Sequence, residues 1–316
     1  MISGERGKQK MSRYLAKYGI FIAFGILLIV LSLSSESFLT VTNLLNILRQ
    51  SSISGIIAIG MTFVIIRGGI DLSVGSILAF SAIVASSFAH PDTYPTFVPI
   101  ALGLLVGLGL GLINGIIISR WKVASFIVTL GMMTAARGLT LVYTDGRPII
   151  NLSSEYNFIG GGYIAGIPLP VLVFVGVIAL GFFVLHITKF GRHVFASGGN
   201  EKAAQLSGVK VGRVEIAVYA ISGLAAGLAG ILLSSRVMTG SPVLGTGYEL
   251  DAIAAVVIGG TSLTGGRGRI IGTVVGVLII GIMNNGLDLL NVSSYYQQIV
   301  KGAIIVLAVL LDKKNQ

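Results

Sequence analysis

From Val98 to Ile118 the chain runs without one charged residue, which meets the roughly 20 residues a helix needs to cross about 30 Å of hydrocarbon. Lipid cannot satisfy backbone N–H and C=O groups, so a chain built from such runs folds as membrane-spanning helices. A helix buried in a soluble core is the alternative, and composition argues against it. The 316 residues are 54% hydrophobic and 11% charged, against about a quarter charged in an ordinary globular domain. A soluble fold with this balance could not cover its outside with polar groups.

The apolar runs predict about ten crossings, near 18 to 35, 51 to 66, 71 to 89, 97 to 118, 123 to 143, 168 to 187, 214 to 235, 250 to 264, 270 to 287 and 296 to 311. The fold class expected is an all-α polytopic membrane protein, one domain over 1–316. The first run, Tyr18 to Leu33, follows a basic start with Arg6, Lys8, Lys10, Arg13 and Lys17. It reads as a first helix oriented by its basic end rather than as a cleaved signal peptide. With that end inside, all 22 Lys and Arg residues except Arg49, Arg137, Arg147, Arg236 and Lys301 fall on the cytoplasmic side. The positive-inside rule therefore predicts two cytoplasmic termini. Scattered through short loops in this way, the net charge of +10 implies membrane topology and no nucleic-acid partner.

Many of the 44 glycines recur at helix-contact spacing, as in Gly103, Gly107, Gly111 and Gly115, Gly223 and Gly227, and Gly272 and Gly276. Four-residue spacing makes a smooth groove on one helix face, where a neighbouring backbone packs closely. Such seams either only pack or also let helices slide during transport. Other glycines cluster with polar residues, in Gly68–Ser76 and Gly259–Gly266, and read as helix breaks inside protein or along a watery cavity. Their similarity across an offset of 191 residues hints at an internal repeat.

Asp71 is the most unusual embedded charge. It is either structural, paired with Arg67 one turn earlier or capping a helix, or a polar element of a solute path. Asn114, Asn284 and Asn285 either hydrogen-bond a polyol in that path or join helices to each other.

No catalytic constellation stands out. The phosphate loop, the G-x-S-x-G elbow, the H-E-x-x-H pair and the dinucleotide fingerprint are all missing. His90, His186 and His193 are isolated, and there is no cysteine, so neither a catalytic residue nor a metal site is expected. Uphill transport would draw on an ion gradient or on another subunit. The longest basic loop, 188–213, contains a short helix that Asn200 caps and Gly208 ends, carrying Glu201, Ala203 and Ala204. A short helix of small residues with basic flanks suits docking into a groove on a partner.

The run Gly198-Gly199-Asn200-Glu201-Lys202-Ala203-Ala204-Gln205-Leu206-Ser207-Gly208 resembles the coupling loop of bacterial ABC importer permeases, with Lys202 separating the acid from the two alanines. Gly69-Ile70-Asp71-Leu72-Ser73-Val74-Gly75-Ser76 resembles the signature of their monosaccharide branch. Thr246–Leu263 and Asn291–Gln297 are similar to the permeases of ribose importers. The resemblance covers nearly the whole chain. It implies a type II importer-like fold in the bacterial inner membrane, assembled from two copies of this chain, two cytoplasmic ATPase domains and a periplasmic sugar-binding protein. ATP and Mg would be bound by the ATPase, with no cofactor on this chain. Ribose is the favoured sugar, with arabinose, xylose, galactose and autoinducer-2 left open. Gly199, Asn200, Glu201, Ala203, Ala204 and Gly208 are the expected coupling residues. Asp145, Arg147, Glu155, Arg236 and Glu249, on the opposite side, are candidates for docking the binding protein. The pathway is expected to be small-residue and largely uncharged, with low sugar affinity of its own. A secondary transporter driven by protons or sodium is the competing class.

Overall fold

The computed structural model of the protein describes residues 25, 26, 28–293, 295–303 and 306. Among the described residues, six helices are long and apolar enough to cross a membrane. They are α1 (Val41–Arg67), α3 (Phe97–Trp121), α4 (Ser125–Thr144), α6 (Leu169–Phe182, continued as a π-helix to Ile187), α9 (Val211–Val237) and α11 (Ile270–Leu289). Between them lie α2 (Val74–Ser87), α5 (Ser154–Gly161), a hairpin of β1 (Tyr163–Ile164) with β2 (Ile167–Pro168), α7 (Lys189–Gly199), α8 (Glu201–Leu206) and α10 (Tyr248–Ile258). Residues 28–34 and 295–303 are also helical. The remainder of the expected first and last crossings, 18 to 35 and 296 to 311, lies mostly or partly outside the described residues.

Two expected crossings are corrected in kind. At 14 and 11 residues, α2 and α10 extend about 21 and 17 Å, short of the roughly 30 Å hydrocarbon thickness. Each is a half-helix joined to a glycine-rich extended stretch. A third correction concerns α1, which starts at Val41 rather than near 51. Thr40 caps it by accepting from the Asn43 backbone N–H at 3.3 Å. Two polar residues in its first turns find partners elsewhere. Asn43 exchanges two side-chain hydrogen bonds with Asn285, at 2.9 and 2.8 Å, and Arg49 stacks 4.7 Å from the centre of the Tyr163 ring.

Helices α1 and α9 form the buried axis of the bundle, whereas α3, α4 and α6 keep broad apolar faces outside, bearing Leu105, Ile127, Val142, Val175 and Leu180 among others. The glycine seam explains how α3 reaches α9. A Cβ on Gly107 would stand 2.4 Å from the Gly223 carbonyl oxygen, one on Gly111 2.4 Å from that of Tyr219, and one on Gly115 2.7 Å from the Ile216 Cα. Advancing along α3 thus means retreating along α9, so the two helices are antiparallel and in backbone contact, as small-residue packing permits.

The second glycine pair repeats this at α10 and α11, where a Cβ on Gly272 would stand 2.1 Å from the Gly259 carbonyl oxygen. The opposite end of the bundle from Arg67 is closed by α5 and the hairpin. Tyr156, fully buried, meets Ser234 Oγ at 2.7 Å, and the Gly160 N–H donates to Ser235 Oγ at 2.6 Å.

Candidate functional site

At the Arg67 end of the bundle, loop and spans are joined by a four-charge cluster. Gly68, at φ 92°, ends α1 in the left-handed conformation glycine favours, which leaves Arg67 in the last turn of α1. Its Nη2 donates to Glu201 Oε2 at 2.8 Å and lies 3.3 Å from Glu215 Oε1. Lys122, just past α3, reaches the same two carboxylates at 3.5 and 4.0 Å. Arg67 belongs to α1, Lys122 follows α3, Glu215 sits in the first turns of α9 and Glu201 opens α8. Partial burial pushes the Glu201 carboxyl up, but Arg67 and then Lys122 outweigh it and hold it below its ordinary value.

The loop helix α8 forms as its residues predict. The Asn200 side chain accepts from the Ala203 N–H at 3.0 Å. Gly208, at φ 83°, donates to the Gln205 carbonyl, and the Val209 N–H donates to that of Ala204, closing the C-terminal end. Ala204 is buried against the bundle, while Ala203, Gln205 and Leu206 face outward, Leu206 at 90% exposure. Gly199 is exposed as well, at the junction of α7 and α8.

The two glycine clusters singled out in the sequence meet here. The Gly266 N–H donates to the Ile66 carbonyl at 2.8 Å, and Cβ atoms on Gly265 and Gly198 would stand 3.1 Å from the Gly68 Cα and 1.8 Å from the Ile66 oxygen. They are not copies of one folded unit, because the half-helix follows the first cluster and precedes the second.

Asp71 and Asn114 come together deeper in the bundle. Fully buried, Asp71 accepts at Oδ1 from the Ser73 N–H at 3.0 Å and the Ser73 hydroxyl at 2.5 Å, and at Oδ2 from the Ser222 hydroxyl at 2.8 Å. Asn114 Nδ2 then donates to Ser73 Oγ at 2.9 Å. Ser222 lies eleven residues into α9, about 16 Å from its start. The extended stretch before α2 is held by Ser125, which accepts from the Ile70 N–H at 3.3 Å, and by Thr129, which donates to the Ile70 carbonyl at 3.3 Å. Arg67 pairs with Glu201 and Glu215 and not with Asp71, because the turn at Gly68 breaks the helical spacing that would have stacked them. Asn284 and Asn285 lie apart from this node. Asn285 joins α11 to Asn43, and Asn284 Oδ1 has no hydrogen-bond partner among the described residues.

The five docking candidates differ in exposure. Asp145 and Arg147 are exposed after α4, and Glu155 is exposed in the first turn of α5. Its own backbone N–H and the Ser154 hydroxyl hold the Glu155 carboxyl below its ordinary value. Beside it lies a shallow cavity of about 370 Å³ lined by His90, Asp92, Tyr94 and Ser153. Arg236 is half-buried in the last turn of α9. Glu249 is half-buried at the start of α10, where a Cβ on Gly75 would stand 2.3 Å from its Oε2. Residues not picked out from sequence are Glu215, Ser73, Ser222 and Asn43. An acid at the start of an apolar run was the available signal for Glu215.

Over residues 43–309 the chain matches the family described as branched-chain amino acid transport system / permease component. It is 53% identical over 301 residues to the ribose import permease protein of Bacillus subtilis, covering 95% of this chain and 93% of that one. Identity to the ribose import permease protein of Haemophilus influenzae is 48% over 316 residues, covering 99% and 98% of the two chains. For that of Escherichia coli K12 it is 46% over 319 residues, covering 100% and 98%. No solved structure matches the chain. A helical bundle with matches of this length and identity is a membrane transport permease rather than an enzyme, and the chain belongs to the branched-chain amino acid transport system / permease component family.

Proposed function

We propose that the chain is the membrane-spanning subunit of an ATP-binding cassette importer that passes ribose into the cytoplasm. The 53% identity over 95% of the chain to a ribose import permease carries the substrate. The cluster of Arg67, Lys122, Glu201 and Glu215 supports the coupling role: it ties an exposed loop helix to three spans, so that movement of a partner seated on α8 reaches the bundle as rigid-body displacement. The Arg67 end is then cytoplasmic, and the chain crosses the inner membrane ten times with both termini inside, α2 and α10 each serving as half of a crossing.

A second copy of the chain would cover part of the apolar faces left outside, with lipid on the rest. The ATPase, holding ATP and Mg, docks on α8 around Gly199–Gly208, and a periplasmic ribose-binding protein docks at the other end near Asp145, Arg147 and Glu155. Asp71 and Asn114 brace the stretch that precedes α2. Because Ser73 and Ser222 already donate to both Asp71 oxygens, the carboxylate serves structure better than ion coupling. Proteoliposomes containing this chain, the ATPase and the binding protein test the reading. Ribose uptake should require ATP and survive a protonophore; uptake driven by a proton gradient without ATP would overturn it.

A further inference from the structure

Arg137 and Lys301 lie within or beside apolar runs, where an unpaired cation is costly. In the folded chain both end on one segment. From α4, Arg137 Nη1 donates to the Pro242 carbonyl and, at 3.0 Å, to the Leu244 carbonyl. From the 295–303 helix, Lys301 Nζ donates to Asp251 Oδ2 at 2.9 Å. Between these contacts runs 242–251, which has left-handed glycines at 245 and 247 and becomes helical only at Tyr248.

Irregular backbone inside a bilayer needs donors for its carbonyls from elsewhere in the protein. Arg137 supplies them at Pro242 and Leu244. The segment also touches the other half-helix: a Cβ on Gly245 would stand 2.4 Å from the Gly75 carbonyl oxygen, and one on Gly75 would meet both the Gly245 carbonyl oxygen and the Glu249 carboxylate at 2.3 Å. Thus the N-terminal ends of α2 and α10, the two broken crossings, meet at Gly75 and Gly245. Pro242 and Gly245 are buried and Leu244 and Tyr248 pack against the core, while Val243 is 71% and Leu250 46% exposed. To that packing Arg137 and Lys301 add polar contacts from two different elements, so a displacement of α4 relative to the 295–303 helix acts on both.

We propose that Arg137 and Lys301 are positioning residues for transport: they clamp segment 242–251 against Gly75, and this segment is the part of the pathway that moves when the spans shift. The transport role rests on the importer reading above. Hydrogen exchange measured on the full chain in lipid nanodiscs tests the clamp without any partner. Arg137→Gln and Lys301→Gln should each speed amide exchange in 242–251 by roughly tenfold or more, as loss of a hydrogen bond to a charged group allows, and leave α9 unchanged. Arg137→Lys, which keeps a donor, should restore part of the protection. In the assembled transporter both Gln variants should lower ribose moved per ATP hydrolysed, and exchanging the charges of Lys301 and Asp251 should recover it.

Unaltered exchange in 242–251 overturns the clamp, as does a rise spread over all helices that Arg137→Lys does not confine to this segment. Raised local exchange with wild-type ribose per ATP overturns the transport role. If the wild-type assembly shows no ATP-driven uptake while the local exchange effect stands, the importer reading fails and the clamp holds.

Discussion

Arg67, the last residue of a 27-residue span, holds Glu201, the first residue of the exposed loop helix, at 2.8 Å. The contact crosses 134 positions of sequence and joins the buried axis of the bundle to the helix that protrudes from it. Glu215 and Lys122 complete the cluster, so the loop helix is referred to α1, α3 and α9 together.

Acid should weaken this link. The folded-state pKa of Glu201 lies below its ordinary value of 4.5, so its stabilisation is fully present above that value and is lost as pH falls through the lower folded value. Thermal unfolding in nanodiscs should therefore show a gap between wild type and Glu201→Gln that is constant near neutrality and closes below about pH 4.5. The side chain is 39% exposed, so screening keeps the gap under about 1 kcal/mol.

The α3–α9 seam should tolerate no added side chain at its tightest points. Gly107→Ala and Gly223→Ala each drive a Cβ onto a backbone carbonyl, at 2.4 and 2.2 Å, and should cost about 1–3 kcal/mol each. Gly109→Ala, on the same helix with nothing within 4 Å, should leave the unfolding midpoint unchanged or slightly raised.

Asp71 separates a structural role from a charge-carrying one. Asp71→Asn keeps an oxygen for Ser73 and offers its amide to the Ser222 hydroxyl, so transport should stay close to wild type. Asp71→Ala orphans the Ser73 and Ser222 groups and should destabilise by about 1–3 kcal/mol for each buried donor left unpaired. Abolished uptake in a well-folded Asp71→Asn variant would assign the charge itself to transport.

Gly208 ends the loop helix at φ 83°, where an L-residue with a bulky side chain is strained by about 1–2 kcal/mol. Gly208→Val should reduce co-purification of the ATPase, whereas Gly208→Asn, better suited to the left-handed region, should retain most of it.

Much of this was readable in residue order. The charge-free stretch ending at Arg120 and Lys122 marked α3 to within a turn, and the capping chemistry of Asn200 and Gly208 marked α8, because both signals are local. The start of α1 was not readable. Asn43 and Arg49 look like a polar surface loop until Asn285 arrives from a distant position to hydrogen-bond the first and Tyr163 to stack on the second. The pairing of Arg67 with Glu201 rather than with Asp71 depends on one left-handed turn at Gly68, which redirects the chain. Glu249 was read as surface charge because its loop looked outward; Gly75 and Gly245 draw that loop into the bundle.

The central claim is that the Arg67–Glu201 contact passes motion from the loop helix to the spans. A double-mutant cycle in reconstituted transporter, reading ribose moved per ATP hydrolysed for Arg67→Gln, Glu201→Gln and the pair, tests it most directly. Each single change should lower the ratio, and the double variant should fall no further than the worse single one. Additive losses, or a Glu201→Gln transporter with the wild-type ratio, would contradict the account.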